Sequence, residues 1–167
     1  PTYFGNPTSQ HAEAHLDLVG LGHMLALSPS SELNALACMH YRHDFPAKRR
    51  FTLPSGNESR RSDKHRSSDG VRGRCLGSEP LSFPQFASRL SKGAEIRTTT
   101  LTEAFGWSEY QKLYGDKAVV ILARDPKGWI HVATQPLDFA PGPDWSLIAL
   151  IEEEPADAAP AAVASGK

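Results

Sequence analysis

The stretch PTYFGNPTSQHAEAHLDLVGLGHMLALSPSSELNALACMHYRHDFPAKRRFTLP, residues 1–54, decides the fold. Three short extended or apolar runs predict strands, at residues 2–4, 24–27 and 50–54. Apolar residues at helical spacing predict one helix over residues 8–19 and a second from residue 31 to Pro46. Strands that alternate with helices in this way predict a parallel sheet with helices packed against it.

The ends of these elements carry the expected capping chemistry. Thr8 and Ser9 are both suitable caps for the first helix, since a hydroxyl accepts a free N–H of the first turn. The run Met24-Leu25-Ala26-Leu27 has no polar residue among its apolar ones. A strand covered on both faces has this pattern, so the run predicts a central strand of the sheet.

The rest of the chain divides by composition into three segments. Residues 55–79 are rich in Ser, Arg, Gly and Asp and predict a disordered, locally basic linker, because they hold too few apolar side chains to offset the entropy of ordering. A solvated linker is favoured over a phosphate or lipid-headgroup patch, since acidic residues dilute its positive charge. Residues 80–154 predict a small, mostly β module, and the Ala/Pro-rich residues 155–167 a disordered tail.

Within the β module, the turn Asp125-Pro126-Lys127-Gly128 predicts a hairpin. Alternating and β-branched runs predict its strands, at residues 94–101, 117–124, 129–134 and 145–152. Two short helices are predicted at residues 84–90 and 107–114. The fold class is therefore α/β, a partial parallel sheet with helices followed by a mostly-β module.

Composition excludes several functional classes. The 167 residues carry a formal net charge of −1, which gives no global electrostatic case for binding nucleic acid or an anionic membrane. No apolar run approaches the ~20 residues that a membrane span needs, so the chain itself is predicted to be soluble. Cys38 and Cys75 stand far apart without a CxxC motif, which favours free thiols in a reducing compartment.

Two motifs that suggest chemistry have simpler interpretations. His11 and His15 share one helix face, but Glu13 lies midway between them, whereas the zinc-protease order H-E-x-x-H turns the Glu towards the metal. We interpret the pair as a polar helix face and predict no metal site. Gly20-Leu21-Gly22 follows a helix and precedes a strand, the reverse of a dinucleotide-binding loop. Neither motif predicts a catalytic residue.

Two turns are better candidates for a binding site. Gly5-Asn6-Pro7-Thr8 and Ser28-Pro29-Ser30-Ser31 each lie between a predicted strand and the start of a helix. Ligands of parallel sheets bind at this edge, where hydroxyls and free helix N–H groups meet. On the residues alone, ligand binding and simple helix capping remain equally good interpretations.

The same residues resemble a known family. The segments YFGNPT (3–8), LDLVGLG (16–22), LALS (25–28) and ELNALA (32–37) are similar to the second half of RCK domains, also called TrkA-N or KTN domains. These Rossmann-like cytosolic domains regulate potassium channels, potassium uptake systems and cation/proton antiporters. The best resemblance is to the cytosolic C-terminal region of bacterial sodium/proton antiporters of the cation:proton antiporter-1 type, and it covers the first third of the chain well.

The resemblance implies a set of site residues. Gly5, Asn6, Pro7 and Thr8 match the turn beside the adenosine of the nucleotide, with Asn6 where the family carries Asp. Ser28 matches a position near the same pocket, and Asn34 an Asn of the following helix. The family's glycine-rich phosphate loop and ribose-binding acid would lie upstream of residue 1. The resemblance therefore implies NAD(H) or another adenine nucleotide as ligand only together with that upstream half.

The implied function is regulatory and non-enzymatic. The chain is expected to be the nucleotide-sensing cytosolic portion of a sodium or potassium/proton antiporter, at the cytoplasmic face of the bacterial inner membrane. Its expected partners are the antiporter membrane domain and a second copy, through the RCK-like unit, and not nucleic acid. The alternatives are a fragment of a nicotinamide-dependent oxidoreductase, for which the Tyr-x-x-x-Lys pair is absent, and a protein-interaction module.

Overall fold

A computed structural model describes residues 2–54 and 73–152. Four α-helices occur in these residues: α1 (Gln10–His15), α2 (Ser31–His40), α3 (Phe83–Ser91) and α4 (Trp107–Tyr114). Short 3₁₀ helices at Ala47–Arg49 and Gly115–Lys117 lead directly into strands. The strands are β1 (Met24–Ala26), β2 (Arg50–Thr52), β3 (Arg74–Cys75), β4 (Glu95–Thr100), β5 (Ala118–Arg124), β6 (Ile130–Val132) and β7 (Ser146–Ile151). The predicted linker residues 55–72 and the predicted tail lie outside the described residues.

Both helices of the first unit begin at serine caps. The Ser9 hydroxyl accepts a hydrogen bond from Ala12 N, which confirms one of the two predicted caps. Helix α1 is shorter than predicted because Leu16 adopts an extended conformation and the Asp17 carboxylate accepts a hydrogen bond from Val19 N at 3.0 Å. Local side-chain bonding of this kind competes with helix propagation.

The first sheet is parallel, with strand order β1-β2-β3. Leu25 pairs with Phe51, and Phe51 with Arg74. The prediction that residues 24–27 form a central strand is wrong, since β1 is an edge strand among the described residues. The strand predicted at residues 2–4 is also wrong: Tyr3 turns towards α1, where its hydroxyl lies 3.2 Å from His11 Nδ1.

The second sheet is antiparallel, with strand order β4-β7-β5-β6. The predicted hairpin is confirmed, because β5 pairs with β6 around residues 125–128. One face of the sheet packs with α4 around Leu101, Tyr110 and Leu147. The other face packs on Leu81 and Phe86, beside and within α3. The expected mixed α/β class is thus confirmed at this coarse level.

The end of the predicted linker corrects the expected boundary. Residues 73–79 were expected to be disordered, but Arg74–Cys75 forms β3 and Leu76 is buried. This segment crosses from one sheet to the other: Leu76 N bonds to Thr52 O, Gly77 N to Ala133 O and Ser78 N to Val120 O, at 2.8–2.9 Å. Because buried backbone groups require partners, these bonds make the crossing part of both sheets.

A hydrophobic cluster also joins the sheets. Phe51, Leu53 and Leu76 from the parallel side pack with Val132 from the antiparallel side, and partly buried Phe83, Ile121 and Leu122 surround them. Arg74 extends the contact, since its guanidinium lies 2.7 Å from Asp138 Oδ2 and 2.8 Å from Thr134 Oγ1. Among the described residues, no helix has the length and apolar character needed to cross a membrane.

Candidate functional site

The turn between β1 and α2 is held by one side chain. Asn34 is almost fully buried; its Oδ1 accepts a hydrogen bond from Ser28 N, and its Nδ2 donates one to Ser28 O, both at 2.9 Å. Both groups of the carboxamide are therefore used to fix the turn. Two predicted site residues, Ser28 and Asn34, are thus brought together, with Asn34 acting on the backbone of Ser28.

Hydroxyl groups complete this turn. The Ser28 Oγ donates to Ser30 O at 3.0 Å, and the Ser30 Oγ accepts a hydrogen bond from Leu33 N at 3.1 Å as the cap of α2. The first N–H groups of a helix have no intrahelical acceptor, so those of Ser31 and Glu32 face the turn. A ligand here would meet amide donors and the Ser28 hydroxyl beside the carboxylate of Glu32.

The turn at residues 5–8 is held by hydrogen bonds that Asn6 makes with the residues just after it. Asn6 Oδ1 accepts hydrogen bonds from Thr8 N at 3.0 Å and from Thr8 Oγ1 at 2.9 Å. The Ser9 hydroxyl donates to Asn6 O at 2.9 Å. Gly5 and Pro7 belong to the same turn, and the Tyr41 hydroxyl donates to Pro7 O. The carboxamide oxygen of Asn6 therefore organises the start of α1.

The two turns contact different ends of α2. Tyr41 and His40, which bond to Pro7 O and to the Glu13 carboxylate, lie at its C-terminal end, whereas Asn34 lies near its beginning. Seven residues of helix correspond to about 10 Å. The expectation that both turns open at one edge of the sheet is therefore not met, because residues 2–4 form no strand beside β1.

The histidine pair has the geometry of a polar helix face. The rings of His11 and His15 stack at 3.9 Å between centroids. His15 Nδ1 lies 2.8 Å from His11 O, and Glu13 pairs with His40 at 2.9 Å. Within residues 2–54 and 73–152, no three His, Cys, Asp or Glu side chains are grouped to hold a metal ion.

A cavity beside α3 was missed by the sequence interpretation. It measures about 520 Å³ and is lined by Pro84, Gln85, Ser88, Arg89, Lys92, Ala94 and Glu152. The Arg89 guanidinium lies 3.2 Å from both the Glu79 and the Glu152 carboxylates. The positions Gln85, Ser88, Arg89 and Lys92 form a polar stripe at helical spacing, a signal in the sequence that could have indicated this face. The lining carries two cations, Arg89 and Lys92, and one carboxylate, Glu152, and the Glu79 carboxylate pairs with Arg89 from outside the lining.

The hairpin carries a second polar group, centred on Asp125. Its Oδ1 accepts a hydrogen bond from Trp129 N at 2.8 Å, and its Oδ2 lies 3.2 Å from His131 Nε2. Desolvation raises the pKa of Asp125, but the hydrogen bonds from Trp129 N, His131 and Lys127 N outweigh it and leave that pKa lowered. The carboxylate therefore stabilises the turn in its charged form.

Two of the three tryptophans pack within the β module. Trp145 stacks on Phe139 and contacts the His131 ring, and Trp107 stacks on Tyr110. These contacts pack both rings against the hydrophobic cluster of the antiparallel sheet. Trp129, in contrast, is 70% exposed at the hairpin tip.

Comparison with known proteins identifies no relative. No protein-family model, curated protein or solved structure matches this chain. Its function is therefore inferred from its own residues and from the resemblance of its first third.

Proposed function

We propose that the chain is the cytosolic regulatory portion of a bacterial sodium or potassium/proton antiporter. It acts without catalysis at the cytoplasmic face of the inner membrane and has the membrane domain as its partner. Regulation of this kind requires that a ligand or partner bind one transport state more tightly than the other. The finer fold assignment, the second half of a Rossmann-like RCK domain, belongs to the same proposal.

The observation that carries the proposal is the turn at residues 28–34. A buried Asn in α2 fixes the backbone at the carboxyl end of a parallel strand, where open α/β sheets bind ligands. These are the positions at which the resemblance places the nucleotide pocket. The parallel order β1-β2-β3 supports the same assignment.

The hydrogen bonds of the two turns refine the expected ligand contacts. The Asn34 carboxamide and the Asn6 Oδ1 already have partners within the chain, so these residues position the turns. An adenine nucleotide, NAD(H) included, would meet the Ser28 hydroxyl and the first amides of α2. Its phosphates would require the glycine-rich loop of the upstream half.

Pairing with a second copy through the helices is part of the proposal. Leu36 and Met39 on α2 are about half exposed, and Val19 and Leu21 before β1 are more than half exposed. Exposed apolar surface of this kind is typical of interaction sites. The same residues favour the second candidate function, a protein-interaction module without a nucleotide.

The proposal is tested by transport measurements. Sodium- and potassium-driven proton exchange is recorded in everted membrane vesicles that contain the transporter with residues 1–167 intact, deleted, or carrying Asn34→Ala. We expect deletion and Asn34→Ala both to change the cation or nucleotide dependence of exchange, while Leu113→Ala, an exposed position on α4, leaves it unchanged. Exchange that is the same in all four proteins would overturn the regulatory proposal.

Calorimetry separates nucleotide sensing from a bare interaction module. Adenine nucleotides are titrated into this chain and into a chain extended upstream by the glycine-rich half. We expect measurable binding only by the extended chain. Equal binding by both would show that the upstream half is dispensable, and binding by neither would favour the interaction module.

A further inference from the structure

Among the described residues, strand β4 has an unpaired edge. It pairs with β7 along all six residues, and it is the terminal strand in the order β4-β7-β5-β6 of the described sheet. Ile96, its second residue, is 55% exposed. Long exposed edges with an apolar residue recruit other strands, because their outward N–H and C=O groups are left to water.

The side chains of this edge are complementary to themselves. Glu95 and Arg97 lie on one face of the sheet, 3.1 Å apart as an ion pair, and Ile96 lies on the other face. If a second β4 pairs antiparallel with a two-fold axis at Ile96, Glu95 of each copy stands opposite Arg97 of the other. Opposite charges directly across an antiparallel pair are stabilising, and like charges are destabilising.

The charges also select this register. Moving the axis to Arg97 would place two arginines opposite each other, and moving it to Glu95 would place two glutamates opposite each other. With the axis at Ile96, the flanking pairs are Ala94 with Thr98 and Gly93 with Thr99, which carry no charge. A self-complementary patch of this kind forms a closed two-fold dimer.

We propose that β4 is a homotypic docking edge, which pairs antiparallel with β4 of a second copy of this chain about Ile96. The two four-stranded sheets then form one continuous eight-stranded sheet. This contact lies on the β module and is separate from the helix-mediated pairing proposed above. It stands whether or not the chain regulates an antiporter.

Charge reversal tests the pairing. Glu95→Arg alone sets arginines opposite each other, and Arg97→Glu alone sets glutamates opposite each other, so each variant should self-associate about tenfold more weakly than the wild type in analytical ultracentrifugation. Mixing the two variants restores both opposite-charge pairs, and the mixture should form heterodimers at wild-type strength. The double variant Glu95→Arg/Arg97→Glu should also recover self-association.

The mixing result separates the two roles of the ion pair. If Glu95 and Arg97 served only within one chain, the double variant would recover but the mixture would not. A mixture that stays as weak as the single variants overturns the proposal. A wild-type chain that is monomeric throughout the accessible concentration range overturns it as well, and leaves β4 open to a different partner strand.

A cross-link locates the contact directly. Ile96→Cys places two thiols across the axis, and mild oxidation should give a disulfide-linked dimer that the wild type, with its native Cys38 and Cys75, does not give. Ile130→Cys, an exposed residue on the opposite edge strand β6, is the matched control and should remain monomeric on the gel. Equal cross-linking of both variants would indicate random collision and overturn the proposal.

Discussion

At the scale of single residues, Asn34 has the largest structural role in the β1–α2 turn. Replacing it with alanine leaves Ser28 N and Ser28 O without their partners in a partly buried place. Because each unmade bond of this kind costs about 1–3 kcal/mol, we expect Asn34→Ala to lower the free energy of unfolding by roughly 2–4 kcal/mol. Urea denaturation followed by far-UV circular dichroism measures the loss.

Ser28→Ala is the control for this prediction. It removes a hydroxyl bonded to Ser30 O but leaves the backbone groups held by Asn34, so a loss of less than about 1 kcal/mol is expected. Equal losses in the two variants would mean that the carboxamide does not hold the turn.

Tyr110 provides the second prediction at this scale. It is 2% exposed, and its hydroxyl has no hydrogen-bond partner among the described residues. Burial, followed by the charge of Tyr114, raises its pKa well above the ordinary value. Because the unfolded chain ionises at a lower pH than the folded one, the raised pKa makes its full contribution to the free energy of unfolding below about pH 10. That contribution is lost as the pH rises further.

Tyr110→Phe should therefore be as stable as the wild type or up to about 1 kcal/mol more stable at pH 7. Above pH 10 its stability should fall less steeply, since phenylalanine cannot ionise. Thermal unfolding between pH 7 and 11 measures both effects, with Tyr114→Phe as the half-buried control. A parallel decline of the wild type and Tyr110→Phe would contradict the assignment.

At the scale of elements, the β5–β6 hairpin depends on a charged turn. The lowered pKa of Asp125 means that the folded state favours the carboxylate. Its contribution to stability is thus present above the unfolded pKa near 4 and is lost as the pH falls through the folded value. We expect Asp125→Asn to have a lower melting temperature than the wild type at pH 7 and the difference to shrink by pH 3.

The matched control for the hairpin is Asp116→Asn, an exposed aspartate before β5. It should change the melting temperature little at any pH. A difference in melting temperature between the wild type and Asp125→Asn that persists unchanged at pH 3 would contradict this prediction. It would show that the shape of the Asp125 side chain, and not its charge, stabilises the turn.

Local chemistry explains which elements could be predicted from the sequence. The hairpin at residues 125–128 and the cap at Ser9 depend on neighbouring residues only, and both predictions are confirmed. The C-terminal end of α1 was harder to predict from the sequence. There the Asp17 carboxylate accepts a hydrogen bond from the backbone N–H two residues later, which competes with continuation of the helix. The strand expected at residues 2–4 failed because an apolar run needs a neighbouring strand to pair with, and Tyr3 contacts His11 instead.

Long-range contacts explain what could not be predicted. The polar residues around 73–79 indicated a linker, yet Gly77 and Ser78 bond to Ala133 and Val120, which lie more than forty residues later in the chain. In the same way, Ser28 and Asn34 were expected as ligand contacts, but their mutual bonds appear only once α2 is placed on β1. The Arg89 cavity joins three charged residues that no short motif connects.

At the scale of the whole molecule, Gly77 connects the two sheets. Its φ is +99°, and an added Cβ would lie 2.8 Å from Glu79 O and 3.3 Å from Val119 Cγ1. We expect Gly77→Ala to cost roughly 2–4 kcal/mol, from the backbone strain and the close contacts together. Because the sheets share a hydrophobic cluster, tryptophan fluorescence and circular dichroism should report one common transition.

Gly93→Ala is the control that measures the cost of backbone strain without close contacts to the added Cβ. This glycine has a φ of +100° with nothing within 4 Å of the added Cβ, so about 1 kcal/mol is expected from the backbone alone. All three tryptophans lie at or beyond residue 107, so their fluorescence reports the antiparallel side. If Asn34→Ala does not shift the fluorescence midpoint, the two sheets unfold independently.

The crossing at residues 76–78 bears on how this chain can be divided in the laboratory. A truncation at residue 80, the boundary that composition suggests, would remove Phe51, Leu53 and Leu76 from Val132 and leave Ala133 O and Val120 O without the donors Gly77 N and Ser78 N. Each half would then expose the surface that the other half covers. Fragments cut there should behave as complementary pieces that recover their structure only when mixed, so expression of either piece alone is a poor route to studying it.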